Sequence, residues 1–419
     1  MAKRSNKPAE ILPAPSGTLL GHNGSRPIYV ADDAKHVFAC GTTGSGKTVA
    51  LSNFIKRAVD EDFPLLLVDG KGDTSVGSLF DIVRRLNPPG RKLYIVNLTD
   101  PDSSAHYNPF RNTSPTIAKD MLINLTTWSE EHYKLNAERY LQRLVLLLNQ
   151  SNVSLSFKQI VRHMKKERFG ALSAALMKSG AIDREDHADN LDIADVAGKV
   201  AEGSIARFST IAESELGQIF AEDGVDIYTA LQERATILFV LNPLIYPEIS
   251  PLLGRLILID AKKAVSKLFS GGVGRTFFIF DEINVYASSA LIDLVNKSRS
   301  ANVTCILATQ SLSDLAKAED ESFTQQVIEN CNNYIVLRQN SAVNSEALAN
   351  IMGTRNTMEV TYQMRREDGA TMDTGLGSAK LVREYIYHPD AIKELKTGKA
   401  FFLSRDTGKH CKLDILKPF

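Results

Sequence analysis

Eight consecutive residues, Gly41-Thr42-Thr43-Gly44-Ser45-Gly46-Lys47-Thr48, fit the pattern GxxxxGK[ST] in full. Glycines let successive backbone N–H groups turn toward a phosphate, and a helix that starts there adds partial positive charge. In such a loop Lys47 neutralises the β- and γ-phosphates of a nucleotide, and the Thr48 hydroxyl sits on Mg2+. The motif requires a strand before it and a helix after it. The apolar run Val37 to Cys40 and the stretch Val49 to Val59 are predicted to be those elements.

A second apolar run, Phe277-Phe278-Ile279-Phe280, ends in Asp281-Glu282. A strand that ends in acids places charge where open α/β sheets bind ligands. Asp281 is suited to hold Mg2+ through water, and Glu282 to polarise an attacking water as general base. Loop and acid pair together point to hydrolysis of the nucleotide rather than binding alone. A third run, Val303 to Ala308, leads into Thr309-Gln310, whose amide can bond the water or the γ-phosphate, or serve as an ordinary loop side chain. Asp69 or Lys71, at the end of a further run, either reach the site or a neighbouring subunit, or shape a turn. Arg299, just before the Gln310 strand, is the first candidate for a cation lent by a neighbouring subunit; Arg338 and Arg355 follow it.

Other chemistry finds no support. The eight histidines are scattered without zinc spacing, and no GxSxG elbow occurs. Cys40, Cys305, Cys331 and Cys411 lie far apart with no CxxC pair, which disfavours a disulfide framework and suits a reducing cytoplasm.

The elements that must position these residues follow from the apolar runs. Val37–Cys40, Leu65–Asp69, Leu93–Asn97, Thr236–Leu241, Phe277–Asp281, Thr304–Ala308 and Ile335–Leu337 are apolar without polar alternation, as a parallel sheet covered on both faces requires. The expected fold is α/β and doubly wound. Between about Pro109 and Leu231 no such run occurs, and Leu141, Leu144, Val145 and Leu148 recur at helical spacing, so an all-α insertion is expected there. Within it Lys158, Arg162, Lys165, Lys166, Arg168 and Lys178 face only Glu167, whereas Asp183, Glu185, Asp186, Asp189, Asp192 and Asp195 face only Arg184. This segregation suits solvated helix faces, or a basic rim turned toward DNA. Trp128 and Tyr133 are expected to anchor the insertion's core, and Gly369 to Lys380, with three glycines, is expected to be a mobile loop.

At 419 residues, with 43% hydrophobic and 23% charged, the chain is neither disordered nor membrane-embedded. Lys+Arg 49 balance Asp+Glu 49, so any polyanion must be held by local basic patches. The basic, proline-broken N-terminus reads as a flexible leader without an h-region. The richest apolar stretch, Ala235 to Ile259, is interrupted by three prolines, Glu248 and Arg255, and is not a membrane span.

The segments HVFACGTTGSGKTVALSNFI, PLLLVDGKGD and FFIFDEI resemble the FtsK/HerA superfamily of ring-forming, DNA-pumping ATPases. Tyr107-Asn108-Pro109-Phe110, ATQSLSDL at 308–315, ENCNNYIVLRQNS at 329–341 and the ending HPDAIKELKTGKAFFLSRDTGK resemble its narrower TraG/TraD/VirD4 branch, the coupling proteins of conjugation and type IV secretion. The likeness runs from about His22 to the C-terminus and implies a RecA-like P-loop motor. Its parts would be a leader over 1–20, a motor over 21–110 and 231–419, and an all-α insertion over 111–230. It also implies ATP and Mg2+ as cofactors, a homo-hexamer that threads DNA independently of sequence, and relaxase and secretion-channel proteins as partners. Lys47 and Thr48 match the family's Walker A residues, Asp281 and Glu282 its Walker B acids, Gln310 its sensor, and Arg299 the position of its arginine finger. Two departures stand out. Asp69-Gly70-Lys71-Gly72 replaces the family's usual DPKG, and the usual N-terminal membrane anchor is missing, which implies a cytoplasmic protein brought to the membrane by a partner. The alternatives are a VirB4-type secretion ATPase, or a nucleotide-gated module that recruits relaxase or channel proteins without translocating anything.

Overall fold

In the computed structural model, which describes residues 16–418 apart from Ala34, Thr126, Thr127, Ser129, Asp368 and Gly369, the apolar runs lie side by side. In chain order the strands are β1 (Gly17–Asn23), β2 (Arg26–Ala31), β3 (His36–Cys40), β4 (Leu65–Asp69), β5 (Leu93–Asn97), β6 (Thr236–Val240) and β7 (Thr276–Asp281). β8 (Val303–Thr309), β9 (Cys331–Val336), β10 (Thr354–Glu367), β11 (Ala370–Tyr385), β12 (Lys399–Ser404) and β13 (His410–Ile415) complete them. Eleven form one sheet in the order β2-β1-β13-β12-β9-β3-β8-β7-β4-β6-β5, and every pair from β9 to β5 is parallel. This is the RecA-like α/β fold, doubly wound: alternate residues of each strand enter opposite cores.

Val37, Ala39, Leu65 and Leu67 pack with Phe54 and Ile55 of α1 (Lys47–Asp60) and Ile82 of α2 (Leu79–Leu86). Phe38, Cys40, Leu66 and Val68 face the other side, where the remaining helices lie. Burial on both faces is what removed polar alternation from these strands. All seven predicted runs are strands, and the sheet extends beyond them through four antiparallel pairings, β9-β12-β13-β1-β2. Two expectations are corrected. The leader assigned to 1–20 lies largely outside the described residues, and Gly17 to Leu20 belong to β1. The mobile loop expected over Gly369–Lys380 instead lies almost wholly in β11, which pairs with β10 as a separate antiparallel ladder. Thirteen paired positions outweigh the loop-forming tendency of the glycines.

Helices alone fill the described chain between β5 and β6: α3 (Pro115–Asn124), α4 (Glu131–Gln150), α5 (Phe157–His163), α6 (Lys166–Lys178), α7 (Arg184–Ala212) and α8 (Ile227–Gln232). Leu141, Leu144, Val145 and Leu148 form the buried face of α4, and Trp128 donates to Ile123 O at 3.1 Å, whereas Tyr133, expected to anchor the core, is exposed in the first turn of α4. The acidic cluster has a local cause. Asp183 caps α7, accepting from Asp186 N at 2.8 Å, and Glu185 and Asp186 sit in its first turn, where the helix dipole favours negative charge. Lys166 pairs with Asp195 at 2.5 Å, whereas Lys158, Arg162, Lys165 and Arg168 are exposed around the α5–α6 corner.

The remaining helices are α9 (Ile249–Leu268), α10 (Ser289–Ser298), α11 (Leu312–Ala318), α12 (Glu321–Glu329), α13 (Ala342–Met352) and α14 (Pro389–Lys393). Helix α9 carries the anchorage of the helical segment. Lys263 Nζ lies 2.8 Å from Asp260 Oδ1 and 3.3 Å from Asp226 Oδ2, and donates to Pro109 O at 2.7 Å and Arg111 O at 3.1 Å. The Tyr107 hydroxyl and Ile227 N both donate to Asp260 Oδ2, at 3.0 and 3.1 Å. One buried polar cluster thus holds both the departing and the returning chain of the insertion.

His36, at the start of β3, is buried between α10 and β8. Cys305 N–H donates to its Nδ1 at 3.0 Å, so Nε2 carries the proton and donates to Val295 O at 2.9 Å. Burial pulls its pKa from 6.5 down to about 4, and the nearby Arg299 charge adds to this. The unfolded chain therefore binds more protons between these values, and stability falls as pH drops through that window by about 3 kcal/mol. In urea unfolding between pH 7 and 4, the native protein is expected to lose that much more stability than His36→Gln; equal losses would contradict it.

Candidate active site

β3 runs into the glycine loop, and α1 begins at Lys47. The loop's path is fixed from three sides. Gly41 N donates to Thr309 O at 3.2 Å, Thr42 N to Arg338 O at 3.0 Å, and Gly398 N to Ser45 O at 3.0 Å. Gly46 has φ 108, a region L side chains rarely adopt, and a Cβ there would lie 3.1 Å from Gly398 N. The Thr397 hydroxyl donates to Gly44 O at 2.9 Å.

Strands β4 and β7 are neighbours in register, so Asp69 and Asp281 end side by side, and β8 delivers Gln310 to the same edge. Lys47, buried, reaches both acids: its Nζ lies 3.1 Å from Asp281 Oδ1 and bonds Glu282 Oε1. Gln310 Nε2 donates to the same Glu282 oxygen at 3.2 Å, and the Thr43 hydroxyl donates to Gln310 Oε1 at 3.3 Å. The cluster lines a cleft of about 270 Å³ together with Thr42, Gly44, Gly46, Thr48, Lys71 and Thr397.

Burial raises the Glu282 pKa above 4.5, partly offset by the Lys47 charge. Burial opposes charge on Lys47 also, but Asp281 and Glu282 outweigh it and hold the ammonium above 10.5. Asp69, buried beside Asp281, is pushed up to about 7 although it accepts from Lys71 N at 2.9 Å. Asp281 Oδ1 is buried with the Lys47 ammonium 3.1 Å away as its counter-charge; once that ammonium turns to a phosphate, the oxygen is a ligand suited to a hard cation. Thr48 lines the same cleft, so the residues present fit Mg2+.

The sequence-predicted Lys47, Asp281, Glu282, Gln310 and the loop therefore converge. Arg299 does not join them: it is exposed and precedes β8, whereas Gln310 follows it, so the strand separates the two by about 20 Å. Any contact of Arg299 with a phosphate requires a neighbouring chain. Arg338 offers its carbonyl to the glycine loop, and Arg355 is exposed on β10. Thr397 was not legible in the sequence; it arrives from 350 residues away in the chain, and only its neighbour Gly398 marks the turn. The Asp69-Gly70-Lys71-Gly72 variation also acquires a reason. Gly70 N donates to Asp281 O at 3.2 Å, and a Cβ at this position would stand 2.9 Å from that oxygen.

The chain matches the family model of the type IV secretion-system coupling protein DNA-binding domain over residues 22–415. Among solved structures it is similar to the bacterial conjugative coupling protein TrwB, with TM-score 0.67, 16% identity, and 97% of this chain and 89% of that one covered. TrwB has also been solved with ADP and Mg2+ and with a non-hydrolysable ATP analogue. VirB4 of Thermoanaerobacter pseudethanolicus shares the fold with TM-score 0.59, 13% identity and 96% of both chains covered. An uncharacterised protein of Mycoplasma pneumoniae is 31% identical over 101 residues, 24% of this chain and 67% of that protein. Among the described residues no helix is long and apolar enough to cross a membrane. The coverage of the family model, across both the strands of the large sheet and the helices between β5 and β6, makes this chain a member of the type IV secretion-system coupling protein DNA-binding domain family.

Proposed function

We propose that the chain is a ring-forming, Mg2+-dependent ATPase that recruits DNA and drives it through a central pore in conjugative transfer or type IV secretion. The observation that carries this reading is the convergence of Lys47, Asp281, Glu282 and Gln310 on one glycine loop. When a nucleotide enters, Lys47 exchanges its carboxylate partners for the β- and γ-phosphates, which releases Glu282. Glu282 then takes a proton from the water that attacks the γ-phosphorus in line, and Gln310 orients that water or reads the γ-phosphate. Thr48 and Asp281 would hold Mg2+, which neutralises phosphate charge when bound. Arg299, too distant from its own cleft, serves the next subunit. The exposed Lys158, Arg162, Lys165 and Arg168 suit sequence-independent contact with a phosphate backbone. A partner supplies recruitment from the cytoplasm to the membrane.

The likeness to VirB4 over nearly the whole chain favours one second reading, an ATPase that powers the secretion channel. The two differ in their response to DNA. ATP hydrolysis by the purified protein is expected to rise several-fold with DNA, and the rise to fade as salt displaces phosphate contacts. Hydrolysis indifferent to DNA would favour the channel ATPase. Arg299→Ala should be inactive alone and recover when mixed with Lys47→Ala; full activity by itself would remove the arginine from the site.

A further inference from the structure

Tyr286 lies outside the nucleotide cleft, fully buried, at the end of the single 3-10 turn that follows Glu282. Its hydroxyl donates to Asp281 O at 2.9 Å. Burial raises its pKa well above 10, so it remains a donor at any working pH. The corner it supports is a strained one. Glu282 has φ 50 and ψ 53, a left-handed conformation that persists at a residue with a Cβ only where its surroundings over-determine it. Lys47 and Gln310 hold the Glu282 side chain, and hydrogen bonds to two carbonyls fix the backbone of the corner. Gly70 N and the Tyr286 hydroxyl both bond the Asp281 carbonyl, and Val285 N donates to Glu282 O at 2.9 Å.

Behind the tyrosine stands α9. Gly254 is packed so closely that a Cβ there would lie 2.4 Å from Tyr286 Cβ and 2.7 Å from Cγ. The same helix carries Asp260 and Lys263, about 9 and 14 Å further along its axis, where both ends of the insertion are held.

We propose that Tyr286 is a positioning residue for Glu282, and that α9 is the strut through which the insertion's anchorage bears on it. The proposal rests on the reading of Glu282 as general base. A displacement of the insertion acts on Asp260 and Lys263, moves Gly254 against the tyrosine ring, and shifts the hydroxyl on the Asp281 carbonyl. The left-handed corner, and with it the aim of the Glu282 carboxylate, follows. The insertion thereby changes hydrolysis without touching the nucleotide.

Tyr286→Phe keeps the ring and removes only the hydroxyl. It is expected to lower kcat about tenfold, the value of one net hydrogen bond felt in the transition state, while affinity for a non-hydrolysable ATP analogue with Mg2+ stays within twofold. Gly254→Ala should lower kcat in the same way, and should cost less in the Tyr286→Phe background than alone. Unchanged kcat in Tyr286→Phe, or a fall in analogue affinity matching the fall in kcat, would overturn the positioning role. Independent, multiplying effects of the two substitutions would overturn the strut. If Gly254→Ala does not fold, Tyr286→Phe still decides the positioning role, and Lys263→Arg, which disturbs the anchorage while keeping its charge, replaces it in the cycle. Failure of the underlying reading looks different: a wild-type protein without ATPase activity, or Glu282→Gln as active as wild type, removes the base assignment and the proposal with it.

Discussion

Glu282→Gln is expected to slow ATP hydrolysis by about 10²- to 10⁴-fold, the usual worth of a general base, with nucleotide still bound. The substitution conserves shape and the ability to accept from Gln310 Nε2, which bonds the Glu282 side chain at 3.2 Å. It removes the one carboxylate in the cleft that is both beside Lys47 and free of a role in holding Mg2+. A glutamine accepts no proton from water, so binding and hydrolysis separate. Phosphate release measured alongside retention of labelled ATP reads both quantities. Loss of binding together with hydrolysis would mean that Glu282 orders the site rather than acting on water.

Lys263→Met is expected to destabilise the protein by about 3–5 kcal/mol, because it leaves buried carboxylates without their counter-charge. Asp226 and Asp260 are both fully buried, and burial already raises the Asp260 pKa above 3.8 while Lys263 opposes that rise. The carbonyls of Pro109 and Arg111 would lose a donor as well. Since the cluster fixes both ends of the helical insertion, that segment should loosen first. Trp128 is the only tryptophan and lies within it, so fluorescence should report unfolding at lower urea than far-UV circular dichroism does. Coincident transitions with a midpoint equal to wild type would contradict the anchoring role.

The two residues just argued differ in how visible they are before folding. Glu282 stands next to Asp281 at the end of an apolar run, a local signal that needs no knowledge of the rest of the chain. Lys263 pairs with Asp260 three residues earlier, as a surface lysine on a helix would, but its other partners lie about 40 and 150 residues away in ordinary-looking segments. The strands divide in the same manner. β3, β4, β6, β7 and β8 are buried along their whole length and so are almost entirely apolar, whereas β2 and β13 have mostly exposed or half-buried residues and give no run to find. β10 and β11 pair only with each other, so their sequence carries no apolar face demanded by a sheet core. Within the site, the consecutive motif residues were legible. Thr397 and the service of Gly70 to the Asp281 carbonyl were not, because both arise from distant segments meeting at the sheet edge.

Hydrolysis at this cleft is expected to move DNA. A third strand annealed as a triplex at the far end of a duplex is displaced only by a protein that travels along it. Displacement is expected from the wild-type protein with ATP and Mg2+, and none from Glu282→Gln. Vigorous ATP hydrolysis on the same DNA without displacement would contradict it.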